Sequence, residues 1–204
     1  MNKILALLTL LFALMVLTAH AETFNVSATV PKATSIAITV NKVNSATNQF
    51  TPLTGSLLSF DPLTLDPVNG IYLPGHYFAI DINAVNGAGE VQTTLTFEQD
   101  ATPNTNGHGL GWKSSATMMK VTGSGVNTTD HPLTSHGPKK LLKDLQGEQI
   151  TPQETEGGWT RIYLGILSKD PNATFPDPGE GEVFSNADKA GTYSGRLIIS
   201  GTVL

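Results

Sequence analysis

The nearest approach to a metal-ligand set in this 204-residue chain is Asp130, His131 and His136, one carboxylate and two imidazoles in one short stretch. A zinc site needs three or four such donors held at fixed angles. The separation of the two histidines, in a segment bearing Pro132, Gly137 and Pro138, follows no helix or strand repeat and matches no ligand motif. They read as solvated loop histidines, like His76 and His108. Asp61 and Asp66 offer a second possibility, a carboxylate pair or a calcium loop. Each is followed by a proline, in Phe60-Asp61-Pro62 and Leu65-Asp66-Pro67, and Asp-Pro opens turns, while the EF-hand spacing is absent. Trp112 and Trp159 lie beside glycines and have the shape of a sugar-stacking platform, although core or loop packing accounts for them better. No Gly-x-Ser-x-Gly elbow, His-Glu-x-x-His pair or phosphate-binding glycine loop occurs. The chain has no cysteine, which removes thiol nucleophiles, zinc–thiolate sites and iron–sulfur clusters. The expectation is a protein that is not an enzyme and holds no cofactor and no catalytic metal.

The elements that must carry these residues are short strands. Phe24, Val26, Ala28 and Val30 alternate with Asn25, Ser27 and Thr29; Ile36, Ile38 and Val40 alternate with Ala37 and Thr39. Such a period of two belongs to half-buried strands, whose successive side chains face opposite ways. Phe78, Ile80, Ile82 and Ala84 form a third run, and Val91, Thr93, Leu95 and Phe97 a fourth. The turn-rich Asn86-Gly87-Ala88-Gly89 between them predicts a hairpin. Ile162, Leu164 and Ile166 give another strand, with Arg161 and Tyr163 on its other face. Tyr193, Gly195, Leu197, Ile199, Gly201 and Val203 give the last. One helical candidate exists at 138–147, where Leu141, Leu142 and Leu145 fall at helical spacing. Segments 99–136 and 147–158 read as long loops with small strands in them, and the prolines at 171, 176 and 178 predict an irregular connection. With no repeat and no clear linker, the pattern implies one all-β domain, an immunoglobulin-like β-sandwich.

Residues 1–21 read as a secretory signal peptide. Lys3 supplies a positive start, Ile4 to Thr18 is almost wholly apolar, and Ala19-His20-Ala21 presents the small residues a signal peptidase requires. The apolar run is too short for a membrane span. The mature chain is then expected to begin at Glu22, to act outside the cytoplasm, and to fold without disulfides. The formal charge of −5 becomes one unit more negative once Lys3 is removed, which argues against nucleic acid or an anionic membrane as partner.

The two ends of the mature chain carry a resemblance. Phe24-Asn25-Val26-Ser27-Ala28-Thr29-Val30 stands at the start with Pro31 directly after it. Leu58-Ser59-Phe60-Asp61-Pro62 precedes the alternating Tyr77-Phe78-Ala79-Ile80-Asp81-Ile82-Asn83, and Gly191, Tyr193, Ser194 and Gly195 open the closing strand. Together with the signal peptide and the missing cysteines, these features resemble the chaperone–usher pilus subunits, most of all the alternate, class 5 colonisation-factor major pilins. The long stretch from about 99 to 160 has no counterpart in that resemblance.

The resemblance implies an incomplete immunoglobulin-like sandwich that is completed by donor-strand exchange. Residues 22–35 would be the donor segment and 36–204 the pilin domain. Phe24, Val26, Ala28 and Val30 would insert into a neighbouring subunit, and Tyr193, Leu197, Ile199 and Val203 would line the acceptor groove. The implied partners are identical or related subunits head-to-tail, a periplasmic chaperone and an outer-membrane usher; the implied location is a surface fimbrium supporting adhesion. Main-chain hydrogen bonds would supply affinity and the alternate side chains register, and a head-to-tail contact that does not close propagates as a fibre. Two other classes stay open: a secreted monomeric adhesin or carbohydrate-binding β-sandwich using Trp112 or Trp159, and a secreted enzyme.

Overall fold

A computed structural model describes residues 27–29, 35–85, 91–101, 108–122, 139–150, 158–169 and 181–203. The signal-peptide segment, Phe24, Val26, Val30, the turn 86–89, His131 and His136 lie outside the described residues.

The alternating runs become strands: β1 (Ser35–Asn44), β2 (Phe50–Pro52), β3 (Leu63–Asp66), β4 (Ile71–Pro74), β5 (His76–Val85), β6 (Val91–Gln99), β7 (Ser114–Thr122), β8 (Lys139–Leu141), β9 (Gln146–Ile150), β10 (Gly158–Ile166) and β11 (Gly195–Val203). A single helical turn, α1 (Leu110–Lys113), precedes β7. The protein is all-β without a closed barrel. Six strands pair in the order β2-β1-β5-β10-β7-β8, three in the order β11-β6-β9, and β3 and β4 form a two-stranded hairpin.

The two larger sheets share one core. Phe78, Ile80 and Ile82 of β5, Ala116 of β7 and Ile162, Leu164 and Ile166 of β10 meet Leu95 and Phe97 of β6, with Leu142 and Leu145 closing the side. Burying one such large aliphatic or aromatic side chain contributes about 1.5–3 kcal/mol, so this cluster is the main source of stability.

The opposite face of the central strands is buried as well. Tyr77, Ala79 and Tyr163 pack with Val43 there, and Asp81 and Arg161, directly paired across β5 and β10, are both fully buried. Arg161 Nε and Nη2 donate to the two Asp81 carboxylate oxygens at 2.7 and 3.0 Å, and Nη1 donates to the Tyr163 hydroxyl at 3.2 Å. Burial opposes the Arg161 charge, but the Asp81 carboxylate more than offsets this and its pKa is raised. Burial also pushes the Tyr77 hydroxyl up to about 12. Removing one partner of such a buried pair costs about 3–5 kcal/mol, because the other charge is left alone in a low dielectric.

Two sequence expectations are corrected here. β5 and β6 do not form a hairpin: β5 pairs with β1 and β10, and β6 with β11 and β9. β5 has two faces to bury and takes a central place in the larger sheet, so the chain crosses to the other sheet between them. Nor is 138–147 a helix. It is β8, a 3-10 turn (Leu142–Asp144) and the start of β9. Leu142 and Leu145 share a side because three residues make one turn of a 3-10 helix, and Gly147 at φ +70° lets the chain re-enter a strand.

Candidate functional site

β11 is the edge of the three-stranded sheet. Its nine residues pair along their whole length with β6, from Gly195 opposite Gln99 to Val203 opposite Val91, and its other side carries no strand among the described residues. Leu197 and Ile199 point inward, opposite the buried Phe97 and Leu95, yet stay only half-buried, as does Val203. Arg196 is the strand's single charged residue and sits on the outer face, where it donates to Glu98 at 2.6 Å.

β1 of the six-stranded sheet comes near β11. β2 pairs with β1 only from Asn41 to Val43, and Leu53 N–H donates to Val40 at 2.9 Å, so residues 35–39 have no strand partner on that side among the described residues. Ile36, Ile38 and Val40 share a face with the core residues of β5. Ile38 is nevertheless 47 % exposed, although its cross-strand neighbour Ile82 is 1 % exposed. An open cleft of about 520 Å³ runs here past residues 38–41, Pro52, Leu53 and Gly55. The cleft is lined by β1, β2 and the residues just after β2. Among the described residues, β11 and residues 35–39 of β1 each present an unpaired strand edge, and such edges are templates for pairing with another strand.

Local packing fixes the position of β11. A Cβ at Gly195 would lie 2.4 Å from the Phe97 ring, so only glycine lets the strand start there. Upstream, Lys113 is 2 % exposed and its ammonium reaches Asp188 at 2.9 Å and the Val183 carbonyl at 3.0 Å, under the Phe184 ring. Phe184 in turn accepts from the Tyr72 N–H of β4 at 2.8 Å. Tyr193 precedes the strand rather than lying in it. Its ring meets Phe184 edge-on at 4.9 Å and its hydroxyl donates to the Lys189 carbonyl at 2.9 Å. Burial, with Asp188 adding to it, raises the Tyr193 pKa.

Of the residues expected to act, Leu197, Ile199 and Val203 lie half-buried on one face of β11 and Tyr193 just before it; none of them lines the cleft beside β1. Of the expected donor row, only Ala28 is described; Ser27, Ala28 and Thr29 are all exposed. Ile38, Val40 and Leu53, which line the cleft, were not singled out from sequence as part of a site. The signal for Ile38 and Val40 was present in the alternation of 36–40, but a half-buried edge strand and a half-buried inner strand look alike in one sequence.

The remaining candidates have internal partners. Asp66 opens the β3–β4 turn, accepting from Val68 N–H at 2.9 Å and from Asn69 Nδ2 at 2.6 Å; the Asn69 hydrogen bond, with that from Val68, lowers its pKa. His76 is 4 % exposed, bonded through Nε2 to the Ser59 carbonyl at 2.7 Å, and burial lowers its pKa. Trp112 is 37 % exposed, but its ring stacks on His108 at 4.6 Å and carries the Lys143 ammonium at 4.4 Å, while His108 holds Glu182 at 2.6 Å. Trp159 lies in β10 opposite Val121. No cluster of three metal-ligating side chains exists among the described residues, and no described helix is long and apolar enough to cross a membrane.

Compared with known proteins, the chain matches no family model, no curated protein sequence and no solved structure.

Proposed function

We propose that this protein is a structural subunit of a surface pilus, an immunoglobulin-like sandwich lacking one strand and completed by the amino-terminal strand of the next subunit. The observation that carries this reading is the long, nearly uncharged edge of β11, unpaired on one side among the described residues, with its inner row Leu197, Ile199 and Val203 half-buried. One more strand along that edge would satisfy its row of backbone groups and cover that apolar row. Phe24, Val26, Ala28 and Val30 have the period and apolarity to do so. The signal-peptide pattern at 1–21 fits export through the periplasm, where a chaperone would hold the groove until an outer-membrane usher passes the subunit to the fibre.

Two substitutions on opposite faces of one strand test the proposal. Val26→Asp places an unpartnered carboxylate in a dry groove, at a cost of several kcal/mol, and should stop fibre formation while the subunit is still recovered with its chaperone. Ser27→Asp, facing out, should leave fibres visible by electron microscopy. Equal behaviour of the two variants overturns the proposal.

A further inference from the structure

Lys113 sits in a reactive arrangement that the strand edge does not use. Its side chain is 2 % exposed, and Nζ stands 2.9 Å from Asp188 Oδ1 and 3.1 Å from Asp188 Oδ2. A nitrogen that reaches both oxygens of one carboxylate also lies beside the carbon they share. Nζ donates to the Val183 carbonyl at 3.0 Å, and an oxygen of a second carboxylate, Glu182 Oε2, lies at 3.7 Å. The Phe184 ring lies 5.1 Å from Nζ.

Backbone pairing holds these groups in place. Glu182 N–H donates to the Trp112 carbonyl at 2.9 Å and Leu167 N–H to the Lys113 carbonyl at 2.8 Å. The other Glu182 oxygen, Oε1, is held at 2.6 Å by His108 Nδ1, and the His108 ring stacks on Trp112. Asp188 is fixed by Ser185, whose N–H donates to Oδ2 at 2.7 Å.

We propose that Lys113 and Asp188 condense into an intramolecular isopeptide bond, with Glu182 carrying a proton between them. The step is a dehydration and needs no oxidant, reductant or cofactor. An ammonium proton first moves to Oδ1, which turns the ion pair into an amine and an acid of the same total charge. Such an exchange costs less away from water, where charges are poorly solvated. The Nζ lone pair then attacks Cγ. The C–O π electrons move onto Oδ2, where the Ser185 N–H stabilises the developing charge. Glu182 takes a second proton from nitrogen and returns it to Oδ1; the Cγ–Oδ1 bond breaks and Oδ1 leaves as water. The third hydrogen stays as the amide N–H and keeps its bond to the Val183 carbonyl. Holding nucleophile and carboxyl side by side supplies the proximity that a free amine and acid lack. Glu182 is half-exposed, which gives the water a way out. The bond joins the head of β7 to the segment that leads into β11, 75 residues on. A chain without cysteine thereby gains a covalent staple that no reducing agent breaks.

The intact mass of the mature chain, purified after folding and then denatured, tests the bond. The expected mass is that of the sequence less one water, and digestion should release a branched peptide joining Lys113 to Asp188. Lys113→Arg keeps the cation without the amine and should show no loss of water. Asp188→Asn should reach the wild-type mass, because loss of ammonia from its amide gives the same product. Glu182→Gln should slow the loss of water after refolding about a hundredfold, the scale of general acid–base catalysis. An unchanged rate in that variant overturns the role of Glu182. The wild-type mass decides the bond itself, whether or not a variant folds. The full sequence mass in the folded wild-type chain means an ion pair only, and overturns the proposal. So does a loss of water that maps elsewhere, such as a cyclised Glu22 at the expected amino terminus.

Discussion

The edges of this protein are built in two ways. At one end of the six-stranded sheet, β8 is three residues long, carries Lys139 and Lys140 and breaks at once into a 3-10 turn. At the other end, β2 is equally short and finishes in Pro52. β9, across the three-stranded sheet from β11, has a register irregularity against β6 between Leu95 and Thr96 and a left-handed glycine at 147. Short strands, lysines, prolines and bulges are the devices by which proteins keep an edge from recruiting another chain. β11 has none of them: it is nine residues long, regular in register, and holds its one charge in a pair with Glu98. Among the described residues β11 thus lacks the devices that blunt β2, β8 and β9, and the strand-accepting site proposed above would be the physical use of such an edge.

The strongest way to sharpen this contrast is to fill the open edge from within. Appending a copy of residues 23–31 after Leu204 through a short flexible linker should let the chain occupy its own groove. Burying three or four apolar side chains at about 1.5 kcal/mol or more each, with 2–4 °C per kcal/mol for a chain of this size, predicts a rise in Tm on the order of 10 °C and a monomer that no longer polymerises. Thermal melting and light scattering check both. A Tm that does not move means that the groove is not missing a strand.

Acid should separate the regions next. His76 ties the 57–62 loop through the Ser59 carbonyl, between the Phe60 and Phe78 rings. Its folded pKa is lowered by burial. The unfolded chain therefore binds the proton first, and stability falls as pH drops from about 6.5 toward the folded pKa, being complete above that window. Hydrogen exchange measured through this range should quicken in the loop 57–62, next to the cleft, before it quickens in β7 and β8. His76→Gln should flatten the pH slope. An unchanged slope in that variant assigns the acid sensitivity elsewhere.

The smallest effect is expected at the blunted edge. Lys139→Val with Lys140→Thr removes charges but leaves β8 three residues long, so the folded stability should shift by about 0.5 kcal/mol or less, as for ordinary surface changes. Self-association should rise only slightly by analytical ultracentrifugation. If this pair alone converts the protein into ordered fibres, the distinction between the two edges is lost.

Alternation by itself determined the strand content. Runs such as Phe78-Ala79-Ile80-Asp81-Ile82 and Leu197-Ile198-Ile199 have a period of two that no helix can bury, and the turn residues between them set the lengths. The same signal placed Leu197, Ile199 and Val203 on one face. It left their neighbours undetermined, because a side-chain period reports which way residues point and not which strand lies alongside. The pairing of β5 with β10 rather than β6 follows from Asp81 meeting Arg161 eighty residues away, and a buried ion pair looks in sequence like two ordinary surface charges. Likewise Leu141, Leu142 and Leu145 have helical spacing, yet the tertiary contacts with Phe97 and the core turn them into a strand, a 3-10 turn and a strand. Only the assembled sheets decided that β11 carries a strand on one side alone among the described residues, since an edge is defined by what is absent beside it in space.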